Sequence, residues 1–226
     1  MAVSPSSQEP RWRRLPEERP QQIIDAALKI FGERGLACAR LEDIAKRAGL
    51  SKGTIYLYFP NKEELFREVV RQTVIAQIER AERELAAAEA LSATETLVRF
   101  MHGYWDFLRS PTFAALFRLV HAELGNFPDL ARFYSREVVE RLLRLLAGIL
   151  ERGMSRGEFR RMDPIVAARM LGPLVLMHAL WCNHPDLFKA TALKSKEEVL
   201  NEVLSFYLHA IRRSPADEPA LNVSEK

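Results

Sequence analysis

Residues Gly49 to Lys62 read GLSKGTIYLYFPNK, and the fold turns on how they are understood. Within them TIYLYF sets apolar and aromatic side chains around one threonine, directly after a glycine-bounded turn. A solvent loop has no use for such content, and a core helix does not open on Ser-Lys-Gly. The stretch reads as a short helix from Ser51 to Phe59, polar at its mouth and aromatic along its length. At about 100° per residue, Ile55 and Phe59 share one face, Gly53 and Leu57 lie opposite, and Thr54 and Tyr56 take the flanks.

Two apolar stripes precede this helix. Leu41, Ile44, Ala45 and Ala48 form a very short one that stops at Gly49. Ile23, Ile24, Ala27, Leu28 and Phe31 form a longer one that Gly35 ends. A helix of about eight residues is not stable alone, so three consecutive short helices must pack on one another. The placement of Ala45, Gly49 and Ile55 fits a helix-turn-helix over about 40–59. Ala45 is small where two helices cross, Gly49 makes a tight turn at φ > 0, and Ile55 fills the contact.

In that motif the second helix enters the major groove of double-stranded DNA. Ser51 caps the helix, and Lys52 sits at its positive mouth, where phosphate is favoured. Gly53 permits close backbone approach, with Thr54 beside it. An outward Leu57 suits a thymine methyl. Tyr56 and Tyr58 offer hydroxyls to phosphates, and Lys62, past the Pro60 break, is a further phosphate ligand. The competing reading makes the tyrosines core aromatics and Leu57 a stray surface residue. Taken singly each residue favours it; taken jointly, with the turn spacing, they do not.

Charge agrees. Residues 1–62 carry 11 Lys/Arg against 7 Asp/Glu, whereas the whole chain, with 33 and 30, has a net charge of only +3. A basic first quarter suggests a polyanionic partner there. With 10 Gly, 12 Pro and 48% hydrophobic residues in 226, the composition favours helix, and no period-2 segment predicts a strand. Cys38 and Cys182 stand far apart, which predicts no disulfide and fits a reducing cytoplasm. The polar, proline-rich start is not a signal peptide. The apolar run 170–182 is short of the roughly 20 residues of a membrane span, and reads as a buried helix.

The stretch DIAKRAGLSKGTIYLYFPNKEEL, within residues 20–70, resembles the DNA-binding domain of the TetR family of bacterial regulators. The resemblance implies an all-α protein of about nine helices. Three N-terminal helices carry the helix-turn-helix, and a C-terminal bundle forms a homodimer and holds a small-molecule effector. It also implies a repressor that leaves a palindromic operator when the effector binds. The family usually has Thr at the positions of Ala39 and Arg40. Ala39 can neither cap the second helix nor touch phosphate, and Arg40 is assigned a phosphate contact at the loss of the cap.

The expected organisation is a basic arm at 1–19, the DNA-binding domain at 20–70, an effector and dimerisation domain at 71–213, and a tail at 214–226. Capping signals at Asn61, Ser92, Ser110, Asp163 and Ser195 divide the chain after residue 60 into further helices. Candidate pocket residues are Phe100, Met101, Tyr104, Trp105, Phe107, Phe113, Phe117, His121, Met170, Leu174, Met177 and His178. The competing reading, that such a stripe is core, is the commoner one. Dimer candidates on the last two helices are Leu171, Val175, Trp181, Val203, Leu204, Phe206, Tyr207 and Ala210. No phosphate loop, H-E-x-x-H, C-x-x-C or G-x-S-x-G supports an enzyme, and no metal or cofactor is expected. A third reading is a DNA-binding module controlled by a protein partner, which needs no cavity.

Overall fold

The computed structural model describes residues 19–87, 90–184, 186–187, 189 and 194–213. Of the arm expected at 1–19 only Arg19 is among the described residues, and the tail expected at 214–226 lies outside them. Among the described residues there are nine helices and no strand, apart from one isolated antiparallel bridge between Phe159 and Arg212. They are α1 (Arg19–Cys38), α2 (Leu41–Arg47), α3 (Lys52–Tyr58), α4 (62–87), α5 (Ala93–Leu108), α6 (Pro111–Glu123), α7 (128–155), α8 (Pro164–Asn183) and α9 (Lys196–Ile211). Two compact units divide between Phe66 and Arg67, inside α4.

The first unit is a small triad of helices closed by the start of α4. Ile23, Ile24, Ala27, Ile30 and Phe31 of α1 are buried with Leu41, Ile44 and Ala45 of α2, Ile55 of α3, and Leu65 and Phe66 of α4. Phe31 and Phe66 meet edge to face at 6.5 Å. Gly35 breaks α1 at φ 74°, where the apolar stripe predicted its end, and a last helical stretch follows to Cys38. Arg34–Asp43 at 2.6 Å and Arg47–Glu33 at 2.5 Å tie α1 to α2. Both pairs are largely exposed and add little stability; the apolar contacts hold the unit.

The second unit is a bundle around α5, α7, α8 and α9. Leu97, Met101, Trp105 and Leu108 pack with Leu146, Leu150, Ala168, Leu171, Val175, Leu204 and Tyr207. The Tyr207 hydroxyl donates to the Ala167 carbonyl at 2.8 Å. Ser92–Glu95 and Ser195–Glu198 form the capping boxes their spacing predicts, and Ser110 and Asp163 each cap a helix that starts on proline. Glu158 caps α5 from afar, accepting the amides of Ala93 at 2.8 Å and Thr94 at 2.9 Å. Burial pushes its carboxyl up, but those hydrogen bonds outweigh burial and leave its pKa lowered.

Two features depart from the sequence reading. Helices α4 and α7 each contain a π-helical turn, Arg71–Ile75 and Ser135–Val139, that periodicity does not signal. Helix α8 spans 20 residues, long and apolar enough by length and composition to cross a membrane, whereas the run 170–182 alone is too short. Its Ala168, Leu171, Gly172, Val175 and Ala179 are nevertheless buried in the bundle.

The dimer candidates divide sharply by burial. Leu171, Val175, Val203, Leu204 and Tyr207 are core residues, so they cannot form a seam at the surface. Phe206 and Ala210 are exposed, and Trp181 is half-buried. Met170 and Met177, expected in a pocket, are also at the surface, together with Ile165 and Val166. The sequence cannot sort these faces because α8 is apolar nearly all round.

Candidate functional site

The connection between α2 and α3 shows why the sequence bends where it does. Gly49 adopts φ 69°, the left-handed conformation that glycine takes without strain. The Leu50 amide reaches back to the Ala45 carbonyl at 2.9 Å, a Schellman closure of α2. Ser51 then caps α3, its hydroxyl accepting the Thr54 amide at 3.1 Å. At the other end of α2 the N-cap is Arg40, which makes no side-chain capping bond. Ala39 beside it is buried.

Helix α3 presents the faces its spacing predicts. Ile55 is fully buried and Phe59 nearly so, while Leu57 on the opposite side is 85% exposed. Lys52 and Gly53 are exposed, as are Tyr56 and Tyr58, and Thr54 is half-buried. An isolated exposed leucine is ordinary, but here it tops a ridge flanked by hydroxyls and an ammonium.

The polar groups of this ridge already have partners. Lys52 Nζ lies 2.8 Å from Glu42 Oε1, and the Tyr56 hydroxyl donates to the same oxygen at 3.1 Å. The hydrogen bond from Lys52, then bonds from backbone and Tyr56, hold the Glu42 carboxyl down to about 2. Lys62 Nζ donates to the Ala37 carbonyl at 2.6 Å, near the end of α1. Sequence reasoning did not single out Glu42; that this first-turn residue of α2 meets the mouth of α3 is a tertiary fact.

A second site lies inside the bundle. A cavity of about 790 Å³, partly open to solvent, is bounded by α4 to α8. Its walls include Val74 and Ile78 of α4, Phe100, Tyr104 and Phe107 of α5, Phe113, Phe117 and His121 of α6, Tyr134, Val138 and Leu142 of α7, and Gly172, Pro173 and Leu176 of α8. Phe107, Phe113, Phe117 and His121 form a run of ring contacts, with centroids 5.2, 5.6 and 3.8 Å apart in turn. Both π turns reach the wall, through Val74 and through Val138 and Val139.

Half of the pocket candidates line this space: Phe100, Tyr104, Phe107, Phe113, Phe117 and His121. Met101 and Trp105 do not, being packed in the core on the other face of α5. Met170 and Met177 point outward, and Leu174 and His178 sit half-buried away from the cavity. His178 Nδ1 instead bonds the Leu174 carbonyl at 2.8 Å. Tyr134 and the α4 residues were missed, since nothing in their spacing marks a shared wall. Gly103 and Gly172 also line the cavity, and a Cβ added at either meets nothing within 4 Å.

An exposed short helix behind a tight glycine turn, in a triad of packed helices, defines a helix-turn-helix protein. Residues 23–69 match the model of bacterial regulatory proteins of the tetR family, and residues 95–210 match the AefR-like transcriptional repressor C-terminal domain. The fatty acid metabolism regulator protein of Bacillus subtilis is 31% identical over 185 residues, covering 80% of this chain and 93% of that protein. The transcriptional repressor KstR2 of Mycolicibacterium smegmatis is 25% identical, covering 91% and 96%. The structure of FadR from Bacillus subtilis in complex with stearoyl-CoA superposes with a TM-score of 0.68 at 28% identity, over 85% of this chain and 99% of that one. The chain belongs to the TetR family of DNA-binding transcriptional repressors.

Proposed function

We infer that this protein is a homodimeric repressor that reads a palindromic operator through paired α3 helices and is released by an amphipathic effector with a long apolar part. The observation that carries the reading is α3 itself: Leu57 stands 85% exposed at the tip of a ridge whose base is locked into a core by Ile55. Ser51, Lys52, Gly53, Thr54, Tyr56, Tyr58, Lys62 and Arg40 surround that tip and are assigned the DNA contacts. One such helix covers only a few base pairs, so useful specificity needs a second copy about one helical turn of DNA away.

The exposed apolar residues of the last helices supply a surface for pairing. Val166, Met170 and Met177 follow helical spacing on α8, and Phe206 is 72% exposed on α9. Solvated side chains of this size favour burial against a partner. For the effector, a cavity of about 790 Å³ with an aromatic lining supports a small-molecule input over control by a protein partner alone. The similarity to regulators of fatty acid metabolism supports a chain-like ligand. Two experiments test the reading: footprinting upstream of the protein's own gene, and titration of the bound operator with long-chain acyl thioesters. A protein that protects no palindrome, or that stays bound whatever fills the cavity, is not this kind of switch.

A further inference from the structure

Arg156, Arg160, Arg161, Arg212 and Arg213 are exposed on two segments that lie far apart in sequence, one following α7 and one ending α9. Backbone bonds join the segments side by side. The Arg160 amide donates to the Ile211 carbonyl at 2.9 Å, and the Arg213 amide to the Glu158 carbonyl at 3.3 Å. The isolated bridge between Phe159 and Arg212 belongs to the same junction. Gly157 turns the first segment at φ 75°, and the Arg213 guanidinium lies so near that a Cβ on Gly157 would stand 3.3 Å from it. Phe159 and Ile211 are buried, so the arginines are the outward side chains of a fixed frame.

Local bonding accounts for only part of this charge. Arg156 donates to the Leu91 carbonyl at 2.9 Å, and Arg160 to the Ala210 carbonyl at 2.8 Å. Arg161, Arg212 and Arg213 have no ion pair among the described residues. Of the carboxylates near them in sequence, Glu158 is spent on the amides of α5 and Asp163 caps α8. Glu151 is exposed and makes no ion pair among the described residues. Like charges gathered on one frame repel each other, and an outside polyanion relieves that repulsion.

What the patch lacks narrows its partner. Residues 155–162 and 211–213 expose no apolar side chain, since Met162 is half-buried and Phe159 and Ile211 are buried. A protein partner is held chiefly by anchors that fill pockets. Lasting attachment to a bilayer takes an apolar or lipid anchor beside the charge. A nucleic acid backbone needs neither, because counterion release and guanidinium forks on phosphate oxygens supply the affinity. All of the exposed cations here are arginine, the side chain that pairs a phosphate bidentately.

We propose that Arg161, Arg212 and Arg213, framed by Arg156 and Arg160, bind the phosphate backbone of double-stranded DNA without reading its bases, as a second contact apart from α3. The patch belongs to the second unit, whereas the DNA contacts assigned above, from Arg40 to Lys62, belong to the first. A protein held on one duplex by its helix-turn-helix thus has a separate grip for another.

The test anchors a random-sequence duplex on beads, loads the full-length protein at low salt, washes, and adds a second, fluorescent duplex. The wild type should retain the second duplex, with an affinity that falls with salt at a log–log slope near about −4. Arg161→Gln with Arg212→Gln and Arg213→Gln should melt like the wild type, since none of the three holds another part of the chain. It should still load onto the anchored duplex through α3, and should capture the second duplex about tenfold less or weaker still. A wild type that captures no second duplex overturns the proposal. So does a triple variant that captures it equally well, which would mean that the other recognition helix of a dimer does the capturing. Vesicles of phosphatidylglycerol and phosphatidylcholine form the second arm. Vesicle binding that the triple variant loses, with no second duplex captured by the wild type, assigns the patch to a membrane surface and overturns the DNA reading.

Discussion

Lys52 Nζ rests 2.8 Å from the Glu42 carboxylate, so the cation at the mouth of the exposed helix is held by an anion of the preceding one. Its ring neighbour Tyr56 shares the same oxygen. A phosphate approaching α3 therefore competes with a resident carboxylate. Glu42→Gln should raise affinity for random duplex and operator alike by about threefold at low salt, the gain fading as salt screens it. Fluorescence anisotropy on both duplexes reads this, and an unchanged affinity means Glu42 does not compete.

The same pair fixes a pH dependence. Glu42 is held down to about 2 and Lys52 is raised by its hydrogen bond to Glu42. Any stability from the lowered carboxyl is present above its unfolded value, near 4.3, and is lost only as pH falls through the folded one. From pH 8 to pH 5 both partners stay charged, so acidification over that window should not loosen Lys52 for DNA. A titration of affinity in buffers of constant ionic strength checks it.

Side chains on α3 should separate into two classes. Tyr56→Phe and Lys62→Ala should weaken all DNA about equally, whereas Leu57→Ala should change preference among operator variants with little effect on random duplex. A dimer with about eight phosphate contacts should show a log–log salt slope near −7. If Leu57→Ala behaves as the phosphate variants do, α3 does not read bases through its tip.

Arg40 sits at the N-cap of α2 without a capping bond. Arg40→Ser should restore the cap and stabilise the first unit by about 1 kcal/mol, seen as a later denaturation midpoint. If Arg40 holds a phosphate, the same substitution should lower affinity on every sequence. Stability and binding then move in opposite directions, which a generally damaging substitution cannot do.

Phe206→Glu places a charge on the exposed apolar surface of α9. It should halve the sedimenting mass at micromolar concentration and abolish operator binding, while the far-ultraviolet dichroism stays helical. Elsewhere in the bundle, Gly153 has no room for a side chain, because a Cβ there would lie 2.1 Å from the Phe159 ring. Gly153→Ala should cost about 1–3 kcal/mol by overpacking, measured by thermal or urea unfolding.

Much of this was legible because local rules act within a few residues. Gly49 needs its turn, Ser51 and Ser92 need the amides three residues on, and Ile55 and Leu57 must lie on opposite sides of one helix. The π turns were not legible, since the extra residue in each is set by packing and leaves no mark in the apolar period. Helix α8 hid its faces for another reason: with apolar residues on every side, Leu171 and Met170 look alike until the fold buries one and exposes the other. The competing carboxylate of Glu42 and the wall residue Tyr134 were invisible for the same cause, as each meets its neighbours only through tertiary structure.

Gly103 and Gly172 leave blank spots on the chamber wall, where an added methyl group meets no atom within 4 Å. Single codon changes there could shorten or narrow the bore without moving a helix. On the reading proposed above, substitutions there change which girth of molecule fits the chamber and leave the sequence of the helix-turn-helix unit as it is.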